Sequence, residues 1–360
     1  MKYIISGGGT GGHIFPAISI ANELRARDPQ CEILFIGAEG RMEMKRVPDA
    51  GYEIVGLKVQ GFDRRHVFKN IKVLWNLMIS MIKVRRVIKR FKPDVAIGVG
   101  GYASGAALRV AESMGIPVLL QEQNSYAGVT NKMLAPKAKK ICVAYEGMER
   151  FFPKDRIVLT GNPVRQDLFG SQIDREEAFR FFGLKSDKPT LLVIGGSLGA
   201  KTIDYAMIAG LKYLQQEGIQ ALWQTGKHYY AECKSEAVLH EDIIATDFIS
   251  RMDYAYAIAD VVISRAGASS ISELCLLGKA PILIPSPNVA EDHQTCNARA
   301  LSDRGAAILV KDHHAKRDMV KTAIELFKDN DRRQSLSTEI RKMALPNAAS
   351  MIVDEIYSLL

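Results

Sequence analysis

The residues best suited to chemistry come early in this chain: Gly7-Gly8-Gly9-Thr10-Gly11-Gly12-His13. Each glycine costs conformational entropy on folding, so such a cluster points to something that must approach the backbone closely. Tyr3-Ile4-Ile5 just ahead reads as the end of a buried strand. Pro16, Ala17, Ile18, Ile20, Ala21 and Leu24 read as a helix with Pro16 in its first turn. Strand, glycine turn and helix N-terminus together form an anion site, with N–H groups and the positive dipole end aimed outward. His13 falls in that first turn, where the dipole lowers an imidazole's pKa and favours a neutral ring able to take a proton.

Several nucleotide chemistries compete for such loops. Gly7, Gly9 and Gly12 fit the dinucleotide fingerprint G-x-G-x-x-G, but the acid expected after the second strand, CEILFIG (31–37), is Glu39, later than that spacing prefers. A second loop, Gly195-Gly196-Ser197-Leu198-Gly199-Ala200-Lys201-Thr202, nearly spells the phosphate loop of an ATPase, with Ala200 in place of the last glycine. An ATPase also needs an Asp-ended strand to hold magnesium, and no strand-like run here supplies one convincingly. The physical reading is a diphosphate held without a cation by helix-terminal N–H groups and the Ser197 hydroxyl. Asp329-Asn330-Asp331 matches D-x-D, a manganese motif of another class of nucleotide-sugar transferase. It lies between two polar helices and reads as a solvated turn, so no metal is expected.

The elements that must position these loops follow from the bulk pattern. A chain of 360 residues, 47% hydrophobic, suits two globular domains. The cysteines (Cys31, Cys142, Cys233, Cys275 and Cys296) are scattered without C-x-x-C, which favours reduced thiols over a disulfide frame or a zinc cluster. The start of the chain has no run long enough for a signal peptide, and nowhere do about 18 apolar residues run together to span a bilayer. Strand-like runs at 94–100, 116–121, 140–144 and 156–161 alternate with helical stretches, and resume at 190–196, 219–225, 260–267, 280–285 and 306–310. Alternating βα units give parallel sheets covered on both faces. TGNPVRQDLFG (160–170) breaks the series and places a linker near 162–166. The expectation is two doubly wound α/β domains, each with a glycine loop at its first βα turn and ligands outside the strands' carboxyl ends. Facing each other, they would line a cleft with a glycine loop on each wall. A dehydrogenase with one cofactor fold needs no second loop.

GGGTGGHIFPA (7–17), EQNSYAGVTNK (122–132), GNPVR (161–165), GGSLGA (195–200), SRAGASSISEL (264–274) and EDHQTCNA (291–298) run in this order along almost the whole chain. Together they resemble the MurG family. The resemblance implies the GT-B fold, two Rossmann-like doubly wound domains facing across a cleft, and an inverting glycosyltransferase with no cofactor and no metal in its site. The implied reaction moves N-acetylglucosamine from UDP-N-acetylglucosamine to the 4-hydroxyl of undecaprenyl-diphospho-N-acetylmuramyl-pentapeptide in peptidoglycan synthesis. On this reading residues 1–163 form an acceptor and membrane-facing domain and 164–342 the UDP-sugar-binding domain. A C-terminal helix at about 343–360 packs back on the first.

Matched residue by residue, the resemblance gives Glu273 the ribose hydroxyls of UDP, and Ile249 and Ala268 backbone contacts to uracil and neighbouring atoms. Ser197 and Arg165 go to the phosphates and Gln294 to the sugar hydroxyls. Asn124, Thr10, Gly11 and Gly12 contribute from the amino-terminal side of the cleft. Gln121 departs from the pattern, standing where many members have a histidine before Glu-Gln-Asn. From the residues alone, Glu273 sits three to four positions into a helix, where an ordinary first-turn acid is an equal alternative. An inverting transfer needs one base to deprotonate the acceptor hydroxyl while UDP leaves from the opposite face. His13 is the candidate, with a purely positioning role as its alternative.

The net charge of +8 comes from one segment: between Lys58 and Lys92 eleven Lys or Arg stand against one Asp, a local +10. Within GFDRRHVFKNIKVLWNLMISMIKVRRVIKRFKPD (61–94), Val73, Leu74, Trp75, Leu77, Met78, Ile79, Met81 and Ile82 are too many for one narrow core stripe. A buried helix with a solvated basic end is the plain alternative. No nucleic-acid recognition motif accompanies the charge. Contact of 61–92 with an anionic membrane is favoured, each nearby Lys or Arg being worth about 1 kcal/mol. The lipid-linked acceptor makes sense of it, and places the protein peripherally on the cytoplasmic face of the bacterial membrane. Two rivals stay open: a UDP-N-acetylglucosamine 2-epimerase, which would not need the basic segment, and a non-catalytic UDP-sugar-binding scaffold, which could lose His13.

Overall fold

The computed structural model describes residues 1–61, 69–164, 168, 173–196 and 198–360. The chain divides into two compact units, Met1–Val164 with Leu345–Leu360, and Arg165–Ala344.

The first unit runs β1 (Lys2–Ser6), α1 (Gly11–Arg27), β2 (Glu32–Ala38), α2 (Glu43–Asp49), β3 (Glu53–Leu57), α3 (Lys69–Phe91), β4 (Val95–Gly98), α4 (Tyr102–Ser113), β5 (Val118–Glu122), α5 (Val129–Leu134), β6 (Lys140–Val143) and β7 (Ile157–Leu159). Its sheet is parallel, in the order β3-β2-β1-β4-β5-β6-β7. Ser6 at the end of β1 lies opposite Ile36 on one side and Gly98 on the other. The winding reverses at this point, so the loops leaving β1 and β4 part around a crevice at the carboxyl ends of the strands.

The second unit repeats the plan with α6 (Arg175–Phe182), β8 (Thr190–Ile194), α7 (Lys201–Gln216), β9 (Gln220–Gln224), α8 (Tyr230–Ala237), β10 (Ile243–Thr246), α9 (Met252–Ile258), β11 (Val261–Ser264), α10 (Ala268–Leu277), β12 (Ala280–Leu283), α11 (His293–Ser302), β13 (Ile308–Leu309), α12 (Ala315–Lys328) and α13 (Asn330–Lys342). Its parallel sheet is ordered β10-β9-β8-β11-β12-β13, with the reversal between β8 and β11. The last helix, α14 (Ala348–Tyr357), belongs to the first unit.

Side-chain alternation explains the layers. Tyr3 and Ile5 pack with Ile14, Ile20 and Leu24 of α1 and with Ile352, Val353 and Ile356 of α14. Ile4, pointing the other way, packs with Val84 and Ile88 of α3 and Leu108 of α4. Strands covered on both faces need apolar residues at nearly every position, which is why they read as continuous runs.

Two details differ from the sequence reading, and the D-x-D triplet lies, as read, at an exposed junction of two helices. Helix α1 begins at Gly11, so Pro16 lies in its second turn, where it has no N–H to offer the Gly12 carbonyl. Strands β3 and β10, the outermost strands at one end of each sheet, are additional to the runs read from the sequence. Asp329 of the D-x-D triplet caps α13, its carboxylate accepting the Arg332 N–H at 2.9 Å.

Candidate functional site

In the first unit the glycine turn and His13 sit at the reversal of the sheet. His13 is the third residue of α1 and half-buried. Its Nδ1 lies 3.0 Å from the Gly8 carbonyl oxygen and 3.3 Å from Thr10 Oγ1. A carbonyl can only accept, so Nδ1 carries the ring hydrogen and Nε2 is the proton-accepting nitrogen. The other edge of the ring faces the turn after β4: a Cβ on Gly100 would lie 3.0 Å from Nε2. Gly100 and Gly101 both have left-handed φ, +93° and +92°, and a Cβ on Gly101 would lie 2.6 Å from the Gly8 carbonyl. Only glycine lets the two turns approach this closely.

A buried carboxylate holds the first turn from below. Glu43 opens α2, is fully buried, and accepts the Gly9 N–H with both oxygens at 3.2 and 3.1 Å. Its Oε1 also accepts the Ala38 N–H at 3.0 Å. A Cβ on Gly8 would lie 2.0 Å from that same oxygen. The sequence reading passed over Glu43, which looks like any first-turn acid.

Thr10 is the N-cap of α1 and Gly11 and Gly12 are its first two residues, so these three and His13 form one cluster. Asn124 follows β5. Its backbone and side-chain N–H groups both donate to Oε1 of buried Glu122, at 3.1 and 3.3 Å. Gln123 Nε2 donates to the Val99 carbonyl at 2.9 Å, which ties this loop to the Gly100-Gly101 turn. Gln121, in place of a histidine, donates from Nε2 to Asn162 Oδ1 at 3.0 Å inside the unit.

The second unit gathers its candidates around the reversal between β8 and β11. Gly195, Gly196, Leu198, Gly199 and Ala200 lead into α7. A Cβ on Gly199 would lie 2.3 Å from the Thr225 carbonyl, so glycine is needed where this turn packs on the loop after β9. Asp204 in the first turn of α7 is buried and accepts the Ala200 N–H at 3.2 Å and the Trp223 indole N–H at 3.1 Å. Burial outweighs those two bonds and pushes its pKa up to about 6.

Across the reversal, Ala268 is the first residue of α10 and Glu273 the sixth. Glu273 therefore sits in the second turn, not three to four residues in, and the first turn of α10 holds no acid. The first-turn placement, from which both the ribose reading and its plain alternative started, is thereby corrected. Glu273 Oε2 accepts the hydroxyl of buried Tyr256 at 2.9 Å, a partner that the sequence did not suggest. Ile249 is buried and its N–H donates to Gln224 Oε1 at 3.2 Å. Gln294 Oε1 accepts the Ser286 N–H at 2.8 Å. Just ahead of it Glu291 and Asp292 hold left-handed φ of +55° and +48°, a strained entry to α11. Asn297 donates to the Ala266 carbonyl at 3.3 Å, tying α11 to the turn before α10. Arg165 and Ser197 lie outside the described residues.

Two doubly wound units with a glycine turn at each reversal narrow the choice, and comparison with known proteins decides it. The model of the glycosyltransferase family 28 N-terminal domain matches residues 3–143, and that of the glycosyltransferase family 28 C-terminal domain matches residues 190–352. The chain belongs to glycosyltransferase family 28.

This family 28 chain is 57% identical over 361 residues to the UDP-N-acetylglucosamine--N-acetylmuramyl-(pentapeptide) pyrophosphoryl-undecaprenol N-acetylglucosamine transferase of Parabacteroides distasonis, covering 100% of this chain and 98% of the relative. It is 56% identical over 364 residues to the protein of the same name from Bacteroides fragilis, covering 100% and 96%. Among solved structures, the crystal structure of Acinetobacter baumannii MurG is similar with a TM-score of 0.79 at 28% identity, over 99% of both chains. The UDP-GlcNAc 2-epimerase of Neisseria meningitidis has a TM-score of 0.73 at 12% identity, over 99% of this chain and 100% of that one. That is a likeness of fold alone.

The family 28 enzyme also carries two apolar faces on α3. Val73, Val84 and Ile88 are buried in the core. Ile71, Leu74, Trp75, Met78, Ile79 and Ile82 form a second, exposed face, with Ile71 68% and Trp75 60% accessible. Lys72, Arg85, Arg86, Lys89 and Arg90 are exposed on the same helix. Neither a wholly buried helix nor a simple amphipathic one describes it. Arg64 and Arg65, at the basic start of the segment, lie outside the described residues, as does the Lys69 side chain. No helix among the described residues is long and apolar enough to cross a membrane.

Proposed function

We propose that the chain transfers N-acetylglucosamine, with inversion, from UDP-N-acetylglucosamine to the 4-hydroxyl of undecaprenyl-diphospho-N-acetylmuramyl-pentapeptide. The observation that carries this reading is likeness over the full length, at 57% identity, to a relative that bears this activity in its name.

The chemistry asks for one proton transfer and one substitution. Nε2 of His13 takes the proton from the acceptor hydroxyl, and that oxygen bonds to C1 of N-acetylglucosamine. The bond from C1 to the β-phosphate oxygen breaks, and its electron pair leaves with UDP. The Nδ1–H bond to the Gly8 carbonyl supports this role, since it fixes the tautomer and steadies the imidazolium that forms. The first turn, with α1 and α4 starting beside it, suits the acceptor's diphosphate. On the donor side, the starts of α7 and α10 offer N–H groups to the diphosphate of UDP, with Arg165 and Ser197 assigned there by the resemblance. Glu273, oriented by Tyr256, takes the ribose hydroxyls, Ile249 and Ala268 the base, and Gln294 the hydroxyls of the transferred sugar. Asn124, Thr10, Gly11 and Gly12 of the first unit are assigned to the donor by the resemblance. The mechanism calls on no metal and no cofactor.

The exposed apolar and basic surface of α3 supports peripheral attachment to an anionic membrane. A nucleotide-sugar donor puts that attachment on the cytoplasmic face. Radiolabel transfer from UDP-N-acetylglucosamine to lipid-linked muramyl-pentapeptide, with chelator present, tests the reading. An extractable labelled disaccharide lipid is expected. Conversion of the donor to its 2-epimer without transfer would move the chain to the epimerases, and tight donor binding with no turnover would make it a scaffold.

A further inference from the structure

We propose that the cavity between α3, α4 and α5 receives the first isoprene units of the acceptor's lipid tail. The inference rests on the function proposed above and adds where the tail goes. The cavity, about 480 Å³, is lined by Leu77 and Met81 of α3, Tyr102 and Ala106 of α4, and Met133 and Leu134 of α5. An apolar cavity of about 150 Å³ holds one six-carbon ring, so this volume suits roughly twenty carbons, three to four isoprene units.

The surroundings select a chain with a charged head at one end and a membrane at the other. Tyr102, at the rim and 62% exposed, follows directly on Gly100-Gly101, the turn that packs on His13 and Gly8. A diphosphate seated at that turn would deliver its first isoprene to the cavity mouth. Leu77 and Met81 face the cavity, while Trp75, Met78 and Ile82 on the same helix are exposed. One helix thus lends apolar side chains to the cavity and to the outer surface, a route from the cavity to a bilayer. Among the described residues of the lining, Arg109 alone is charged. A peptide would bring more polar backbone groups than Gln60, Tyr102, Arg109 and Thr130 of the lining could pair. A polyprenyl chain brings none.

The test uses muramyl-peptide diphosphates carrying one, two, three or four isoprene units, assayed with the full chain below their aggregation concentrations, without detergent or vesicles. The acceptor's kcat/KM should rise by about tenfold or more along the series, through KM rather than kcat. Met133→Trp fills the cavity from a position 63% exposed, and should flatten the series while leaving donor affinity and the melting curve unchanged. Leu77→Trp fills it from α3 and should do the same, which guards against a folding defect in either variant. Transfer to all four acceptors with no dependence on length would overturn the inference. So would a dependence that both tryptophans leave intact, or one that needs vesicles. Failure to transfer to any acceptor would instead refute the proposed function.

Discussion

Glu43 offers a test of the first glycine turn from a residue that itself touches no proposed substrate. Its carboxylate is fully buried and holds the Gly9 and Ala38 N–H groups. In Glu43→Gln a carbonyl oxygen at the Oε1 position still accepts both N–H groups, as that oxygen does in the carboxylate. The new NH2, in place of Oε2, then meets the Gly9 N–H, donor against donor, and is itself buried without an acceptor. A buried donor left without an acceptor costs about 1–3 kcal/mol, enough to lower the unit's melting temperature by roughly 2–12 °C. The effect on catalysis follows from the next link. Gly9 is joined to Gly8, whose carbonyl fixes His13 Nδ1. A reacting group misplaced by about 1 Å costs on the order of 10²-fold in rate, so kcat should fall by roughly 10- to 100-fold. KM for UDP-N-acetylglucosamine should rise much less than kcat falls, because its proposed contacts from the second unit are untouched and only Thr10, Gly11 and Gly12 adjoin the disturbed turn. Initial rates at saturating acceptor, beside thermal melts, measure both. A variant that melts early yet turns over at the wild-type rate would show that Glu43 supports the fold and not the position of His13. Wild-type values for both would refute the hydrogen-bond argument itself.

Other consequences are as direct. His13→Ala should lower kcat by about 10²–10⁴ with little change in donor affinity, and should remove the acid limb of the rate profile; His13→Gln with near wild-type turnover would reduce the residue to positioning. Glu273→Ala should weaken UDP binding in calorimetry by roughly 10- to 150-fold, the loss of a charge-assisted acceptor, with the melting curve retained. Trp75→Glu with Ile79→Glu should abolish sedimentation with anionic vesicles while sparing transfer to a short-chain acceptor; persistent vesicle binding would move the membrane surface off α3. Asp204, its pKa raised from about 4 to about 6 in the fold, gives stability that is whole below pH ~4 and lost as pH climbs through ~6, about 2–3 kcal/mol. In Asp204→Asn the difference between denaturation midpoints at pH 4.5 and 7 should shift accordingly, and an unchanged difference would reject the linkage.

What could be read from the sequence is what has a local cause. The glycine clusters announced both turns because a chain gives up order there only for close approach, and the positive φ of Gly9, Gly196 and Gly199 show where that freedom is used. Inner strands such as Tyr3-Ile4-Ile5 were legible because both their faces are covered. The edge strands β3 and β10 were not, since Gly56 breaks the apolar run of β3 and that of β10 stops at Ala245-Thr246. The other edge strands, β7 and β13, are also incompletely buried but carry the runs Ile157-Val158-Leu159 and Ala307-Ile308-Leu309-Val310.

Glu43, Glu122, Asp204 and Tyr256 were silent for a different reason: each acts on a partner that only the fold delivers. Nothing in RMEMKRVP separates Glu43 from a solvated helix acid, because Gly9 is 34 residues away. A signal did exist in the obligations of the backbone. A glycine turn that offers N–H groups to a ligand cannot aim all of them outward, and one that points into the protein needs a buried acceptor. Both units meet that need with a carboxylate, from different places. Glu43 reaches the first turn from the helix after the second strand, whereas Asp204 reaches the second turn from the helix that the turn itself begins. The shared requirement is physical, so it recurs; the position that satisfies it is free to vary. A search for an acid near every glycine turn in space, rather than at a fixed spacing in sequence, would have found both.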